Sequence, residues 1–318
     1  LREKLTGGDV VRLQATAAAG IRRLQSQATI VSTPQPATAP TRNQIRTPTV
    51  TDTAASDDFR QRYGEWAIVT GASSGIGEAF AHSLAARGVR PLLVARREAE
   101  LRRVAEDVRA RHGVAADWIA VDLADAAFID ALTQACADRD VGLVVSNAAF
   151  NPAGAFLDHS RETLLRILDV NDRASLLLAN AFLPRLVQRG RGGFLLVGSI
   201  EGFWGMPYSA AYSASKAFVL SLGEALWGEF RDKNVDVLTL VPGATDTPLL
   251  ASRRIEGVKG MPPQAVAEIG LDHLGRGPYV VPGGVNRWAF RVLRRFPRRW
   301  TTVLGGKATR RMVEKLKS

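Results

Sequence analysis

Tyr212 and Lys216 stand four residues apart in the segment YSASK, a spacing that places both on one face of a helix. A phenol with an ordinary pKa of about 10 is a poor proton donor or acceptor at neutral pH, and an adjacent ammonium favours its phenolate. The pair therefore equips Tyr212 as a general acid/base. YxxxK alone is common on ordinary helices. Its weight comes from Ser199, thirteen residues upstream at the end of an apolar run, and from Asn171 in the preceding helical region.

A second constellation, TGASSGIG at 70–77, follows an apolar run and opens a helix. Gly71, Gly75 and Gly77 suit a tight turn, close approach of the backbone to a pyrophosphate and contact of helix with strand, while the helix N-terminus offers free N–H donors to an anion. The spacing is GxxxGxG rather than GxGxxG, so position rather than pattern carries the reading. The next apolar run ends at Ala95 and is followed by Arg96 and Arg97, where an NAD-binding sheet places an acidic residue for the ribose hydroxyls. A cation there suits a 2′-phosphate. Arg96 reads as the contact to that phosphate or to the adenine, and Arg97 as its solvated neighbour. Asp122 reads either as an acceptor for the adenine amino group or as the N-cap of the next helix.

The elements that must hold these groups are legible as seven short apolar runs, at 66–69, 91–95, 118–121, 141–145, 194–197, 235–241 and 279–281. Between them lie helix-length amphipathic segments at 78–87, 98–111, 126–138, 160–188, 208–233 and 263–274. Continuous rather than alternating apolar strands separated by helices predict a parallel sheet covered on both faces. The expected fold is a doubly wound, Rossmann-type α/β sheet of about seven strands in a single catalytic domain, with its ligand at the carboxyl ends of the strands.

With these motifs in this order, residues 66–283 resemble the classical short-chain dehydrogenase/reductase family. The resemblance rests on TGASSGIG, the DL at Asp122, SNAA at 146–149, the VN at Asn171, Ser199, YSASK and PGATDT at 242–247. It implies an NADP(H)-dependent oxidoreductase interconverting a carbonyl and an alcohol. By that resemblance Ser199 would orient the substrate oxygen, Tyr212 transfer the proton, Lys216 bind the nicotinamide ribose and tune Tyr212, and Asn171 hold a water in the proton relay. Asn147 would support the fourth strand beside the cofactor, and Thr247 would touch the nicotinamide carboxamide. Ser73, Ser74, Ile76, Pro242 and Gly243 complete the candidate cofactor contacts carried by the same motifs. Ala149 stands where the family has glycine, so the local backbone is expected to differ without loss of a catalytic group.

Phe203, Trp204, Met206 and Tyr208, between Ser199 and Tyr212, read either as an apolar wall for a hydrophobic ketone, aldehyde or 3-oxoacyl group, or as packing. The four histidines, 82, 112, 159 and 273, are scattered without ligand spacing, so no metal site is expected. Cys136, the single cysteine, reads as a buried small hydrophobe in a reducing compartment.

The chain of 318 residues has a formal net charge of +11, which suggests nucleic acid until it is divided. Residues 287–318 carry +10 and residues 1–61 carry +3, leaving −2 for 62–286, and no nucleic-acid motif accompanies the charge. The organisation expected is an extension at 1–61, an NADP-binding catalytic domain at 62–286 and a basic tail at 287–318. Within the extension, Val10, Leu13, Ala17, Ile21 and Leu24 suggest a weak amphipathic helix, followed by a disordered Thr/Pro/Ala/Ser-rich linker at 32–56. An organelle presequence and a plain unstructured extension both fit it. In the tail, Ala289, Val292, Leu293, Phe296, Trp300, Val303 and Leu304 follow helical spacing among arginines, with a break expected at Pro297. Two readings stand for the tail: packing over the pocket or a partner subunit, and peripheral contact with an anionic membrane. No apolar run is long enough to span a membrane, so no transmembrane helix is expected. The location expected is cytoplasmic or membrane-peripheral, and the assembly a homo-oligomer. A non-catalytic NADP(H)-binding scaffold is the alternative, and the intact tetrad Asn171, Ser199, Tyr212 and Lys216 favours the enzyme.

Overall fold

The computed structural model describes residues 50–152, 154–252, 260–293 and 295–317. The helix expected around Val10 to Leu24, and the linker up to residue 49, lie outside the described residues.

Each of the seven apolar runs forms a strand: β1 (Trp66–Thr70), β2 (Arg90–Ala95), β3 (Asp117–Ala120), β4 (Val141–Ser146), β5 (Gly192–Val197), β6 (Val235–Leu240) and β7 (Tyr279–Val280). They form one sheet in the order β3-β2-β1-β4-β5-β6-β7, with every neighbouring pair parallel. All residues of β4 and β5 are buried, as a sheet covered on both faces requires. On one face pack α2 (Gly75–Ala86), α3 (Glu98–His112) and a later helix, α9 (Pro263–Asp272), through Phe80, Leu84, Leu101, Val104 and Val266. On the other pack α4 (Phe128–Ala135), α6 (Ala174–Arg189) and α7 (Ala210–Phe230), through Leu132, Leu178, Phe182 and Val219. Each such large side chain contributes about 1.5–3 kcal/mol by leaving water. The strand order reverses between β1 and β4, which opens a crevice at their carboxyl ends.

The helical region expected at 160–188 divides. Ser160 caps α5 (Arg161–Leu168) by accepting from Thr163 N, a π-helical turn follows at Asp169–Arg173, and α6 continues the rod. Asn171 sits in that widened turn, a local insertion that recurs at functional sites.

Two further features differ from expectation. A helix, α1 (Val50–Tyr63), begins inside the segment read as linker and upstream of the boundary placed at 62. Its composition is a poor helix former, and its C-terminal end is anchored by tertiary contacts instead. Arg87 lies over the Phe59 ring at 5.5 Å, the Tyr63 hydroxyl donates to Asp236 Oδ2 at 2.8 Å, and Arg62 donates to the same oxygen. The basic tail forms α10 (Gly284–Leu293) and α11 (Arg298–Lys317), with Pro297 at the break between them. Both helices pack back on the segment after β5: Phe290 lies 4.3 Å from Phe203, and Arg298 donates to the Phe203 carbonyl. A Cβ at Gly305 would meet Met206 Sδ at 2.6 Å, so the glycine lets the tail approach that side chain closely. A short helix, α8 (Pro248–Ser252), follows β6. Among the described residues no helix is long and apolar enough to cross a membrane.

Candidate active site

At the carboxyl end of β1 the chain turns through Gly71, whose φ of +66° favours glycine, and enters α2 at Gly75. Gly77 tolerates no side chain: a Cβ there would run into the Gly71 carbonyl and would meet Asn147 Nδ2 at 2.7 Å. The crowding follows from a latch between strands. Asn147, just beyond β4, donates from Nδ2 to the Thr70 carbonyl at 2.8 Å, while Thr70 Oγ1 accepts from the backbone N–H groups of Asn147 and Ala148. Ala149 causes no local strain, because among the described residues only Tyr208 and Asn234 are non-glycines in the left-handed region.

Ser74 makes no cap bond to α2. Instead Arg97 Nη2 donates to Ser73 Oγ at 3.0 Å and Ser74 Oγ at 3.2 Å, crossing from the end of β2 to the turn after β1. Arg97 is exposed, as expected of the solvated member of the pair, but so is Arg96, and both line the cleft. Asp122 is not a helix N-cap, since α4 starts only at Phe128. Its carboxylate accepts from Ala124 N at 3.0 Å and from Arg166 Nη2 at 2.6 Å. Burial alone would raise the Asp122 pKa, but these two bonds outweigh it and hold the group below the usual carboxylate range. Arg166, which also lies over the Phe150 ring, is a cleft-lining cation that sequence reasoning missed, because it comes from α5, 44 residues away.

Helix α7 carries Tyr212 and Lys216 into the same cleft, and Ser199, two residues past β5, faces it as well. Lys216 is 2% exposed; its Nζ donates to the Val197 carbonyl at 2.8 Å and lies 5.7 Å from the Tyr212 ring centroid. Burial pushes the ammonium down to about 8, opposed by the carboxylates of Asp172 and Glu201. Ser199 Oγ accepts from Glu201 N at 3.2 Å. The cleft, of about 580 Å³, is lined by every candidate site residue except Gly77 and Asn171. Gly71, Ser73, Ser74, Gly75 and Ile76 form one end, while Pro242, Gly243 and Thr247 close the side after β6.

Asn171 acts behind the cleft. Its Oδ1 accepts from Phe150 N at 2.7 Å, and its Nδ2 donates to the Phe150 carbonyl and to Ser215 Oγ, so the side chain braces the segment after β4 against α7. Its own carbonyl accepts from Ser175 Oγ at 2.8 Å. One residue on, Asp172 presents a buried Oδ1 with no hydrogen-bond partner, and burial pushes its carboxyl up to about 7 against the favourable field of Lys216.

Of the four bulky residues considered as a substrate wall, only Met206 lines the cleft. Phe203 and Trp204 turn instead into an aromatic cluster with Tyr279 and Phe290, and Tyr208 adopts a left-handed backbone, φ 63°. Phe150, Val170 and Ile200 supply apolar lining that the sequence did not single out. The histidines are not all apart: His82 Nδ1 and His112 Nε2 lie 3.1 Å from each other, and His82 Nε2 is 3.3 Å from Asp107. Among the described residues no group of histidine, cysteine or acidic side chains is arranged to hold a metal ion. Cys136 is buried, and burial pushes its thiol up to about 11, far from a reactive thiolate.

These residues fit a dinucleotide: a glycine turn that a Cβ would obstruct, free helix N–H groups, cations beyond β2 and an acid/base pair at the far end. Comparison with known proteins agrees with that arrangement. Residues 65–256 match the family described as short chain dehydrogenase. A 7beta-hydroxysteroid dehydrogenase of Clostridium sardiniense is 31% identical over 234 residues, covering 72% of this chain and 90% of the relative. The human protein named inactive hydroxysteroid dehydrogenase-like protein 1 is 34% identical over 197 residues, with 61% of this chain and 60% of that one aligned. Among solved structures, a short-chain dehydrogenase from Sphingobium yanoikuyae in complex with NADPH superposes with a TM-score of 0.65 at 31% identity, covering 72% of this chain and 93% of its own.

Proposed function

Because the chain belongs to the short-chain dehydrogenase family of oxidoreductases, we propose that it interconverts a carbonyl and an alcohol on a hydrophobic substrate, with NADP(H) as its cofactor. The observation that carries this reading is the convergence of Ser199, Tyr212 and buried Lys216 on one cleft with the glycine turn. When bound, the nicotinamide supplies the hydride. Ser199 holds the substrate oxygen, Tyr212 moves a proton at that oxygen, and Lys216 lowers the cost of the Tyr212 phenolate. Asn171 supports these groups by fixing Phe150 and Ser215. Arg96 and Arg97 are the cations available to a 2′-phosphate, with no acidic residue directly after β2 to receive ribose hydroxyls.

The relative named inactive keeps a non-catalytic reading open as the alternative, and the intact acid/base pair favours the enzyme. The test is NADPH consumption with a panel of bulky neutral ketones. Turnover supports the reading, and NADPH binding without turnover of any ketone, aldehyde or 3-oxoacyl thioester favours the scaffold.

The homo-oligomer is supported by Leu165, Leu168, Leu176 and Val187, exposed on α5 and α6 where a second copy would cover them. Contact of the tail with an anionic membrane is favoured by exposed Trp288, Phe296 and Val303 beside exposed Arg295, Arg298 and Arg299. A cytoplasmic protein that reaches such a surface reversibly is the corresponding location.

A further inference from the structure

Asn151 lies just beyond β4, is 8% exposed and lines the catalytic cleft. Its Oδ1 is buried and has no hydrogen-bond partner. Buried polar atoms are normally satisfied, so an open acceptor at a cleft wall marks the place of a donor that arrives from outside the chain. The side chain is also held in place from below. Its neighbour Phe150 is bonded through both backbone groups to Asn171, which gives the amide a fixed support.

In the 3-10 turn that follows β5, Glu201 comes two residues after Ser199 and lines the same cleft. Its backbone N–H donates to Ser199 Oγ, and its Oε2 accepts from Ser209 Oγ at 2.6 Å, so the carboxylate belongs to the same short turn as the serine. The arginines of the cleft, Arg96, Arg97 and Arg166, come from the end of β2 and from α5. The wall after β4 and β5 therefore presents acceptors, while Arg96 and Arg97 stand beyond β2 and Arg166, over the Phe150 ring, is paired with Asp122.

We propose that Asn151 and Glu201 form a polar subsite for a hydrogen-bond donor, a hydroxyl or an ammonium, carried by the substrate beside its reacting carbonyl or alcohol. This rests on the oxidoreductase reading above and names the substrate class more closely. A hydroxyl placed there donates to Asn151 Oδ1. An ammonium gains the Glu201 carboxylate, whereas a carboxylate in the same place meets the like charge of Glu201.

The test uses the full chain with NADPH and a series of ketones differing in one substituent beside the carbonyl: hydroxyl, methyl or carboxylate. The hydroxyl ketone is expected to exceed the methyl ketone in kcat/KM by about tenfold, the range of one buried hydrogen bond, and the carboxylate to be the poorest. Asn151→Leu, with Asn151→Ala as the smaller variant, should bring the hydroxyl-to-methyl ratio close to one while NADPH affinity stays the same. Glu201→Gln should improve the carboxylate ketone relative to the methyl ketone. A wild type that prefers the carboxylate, or Asn151 variants that keep the full ratio, would overturn the subsite. Weakened NADPH binding with an unchanged ratio would assign the amide to the cofactor and overturn it equally. If no ketone turns over, the oxidoreductase reading fails separately. The subsite is then decided by calorimetry of the hydroxyl and methyl compounds on the NADPH-loaded protein, where equal affinities in wild type reject it.

Discussion

Two arginines leave β2, and the geometry divides their roles. Arg97 is tied to Ser73 and Ser74 across the sheet edge, while Arg96 lines the cleft beside it. NADPH should therefore bind more tightly than NADH when both are titrated by tryptophan fluorescence. Arg96→Asp should shift the preference toward NADH, because it removes a cation and adds an acceptor for ribose hydroxyls. Arg97→Ala should weaken NADPH by about tenfold, typical of one charge-assisted hydrogen bond, and equal losses for both cofactors would tie Arg97 to the turn rather than to the phosphate. At this scale the sequence was informative where function resides in residue type at fixed spacing, as for Tyr212, Lys216 and Ser199. Arg166 was invisible, since its place beside Asp122 depends on how α5 crosses the sheet. Asn151 was equally silent, because its meaning lies in an unpaired atom and not in a motif.

The strands were legible element by element because each is buried on both faces, which leaves a continuous apolar run with little else to confuse it. The π-helical turn at Asp169–Arg173 left no such trace, as hydrophobic periodicity barely registers one widened turn. That turn places Asp172 beside the buried Lys216. Burial raises the Asp172 carboxyl to about 7, so the folded state binds its proton more tightly than the unfolded chain does. Stability from this group is thus present at low pH and is lost as pH rises toward and through about 7. Asp172→Asn does not titrate and should be more stable than wild type at pH 8, by on the order of 1 kcal/mol after allowance for partial solvent screening. Thermal unfolding at pH 5 and pH 8 checks this, and an advantage that is larger at pH 5 would contradict it. The opposite sign holds for His82 and His112, both lowered chiefly by burial. Their contribution is present above the ordinary histidine pKa and is lost as pH falls below it. Replacing both by Gln should flatten the acid side of the stability profile between about pH 7 and pH 5, and an unchanged acid slope would remove the pair from the account.

For the molecule as a whole, charge division along the sequence marked the basic tail but could not orient it, and the tail belongs to the same compact unit as the sheet. Helical spacing does not say which neighbour a helix meets, and the contacts with Phe203, Met206 and Pro207 arise from the full three-dimensional path. Because Met206 lines the cleft, a chain ending at Asn286 should lose at least roughly tenfold in kcat/KM toward a water-soluble ketone, as small misplacements near a reacting centre do. Full turnover by that truncated chain, with lost sedimentation on anionic vesicles, would instead make the tail a membrane contact alone. Proton transfer by Tyr212 is tested by single-turnover kinetics of Tyr212→Phe with NADPH and the best ketone of the panel. The chemical step should fall by at least about a hundredfold with cofactor affinity unchanged, since the ring and its packing remain while the proton donor is gone. A Phe variant that reduces the ketone at a near-normal rate would contradict it.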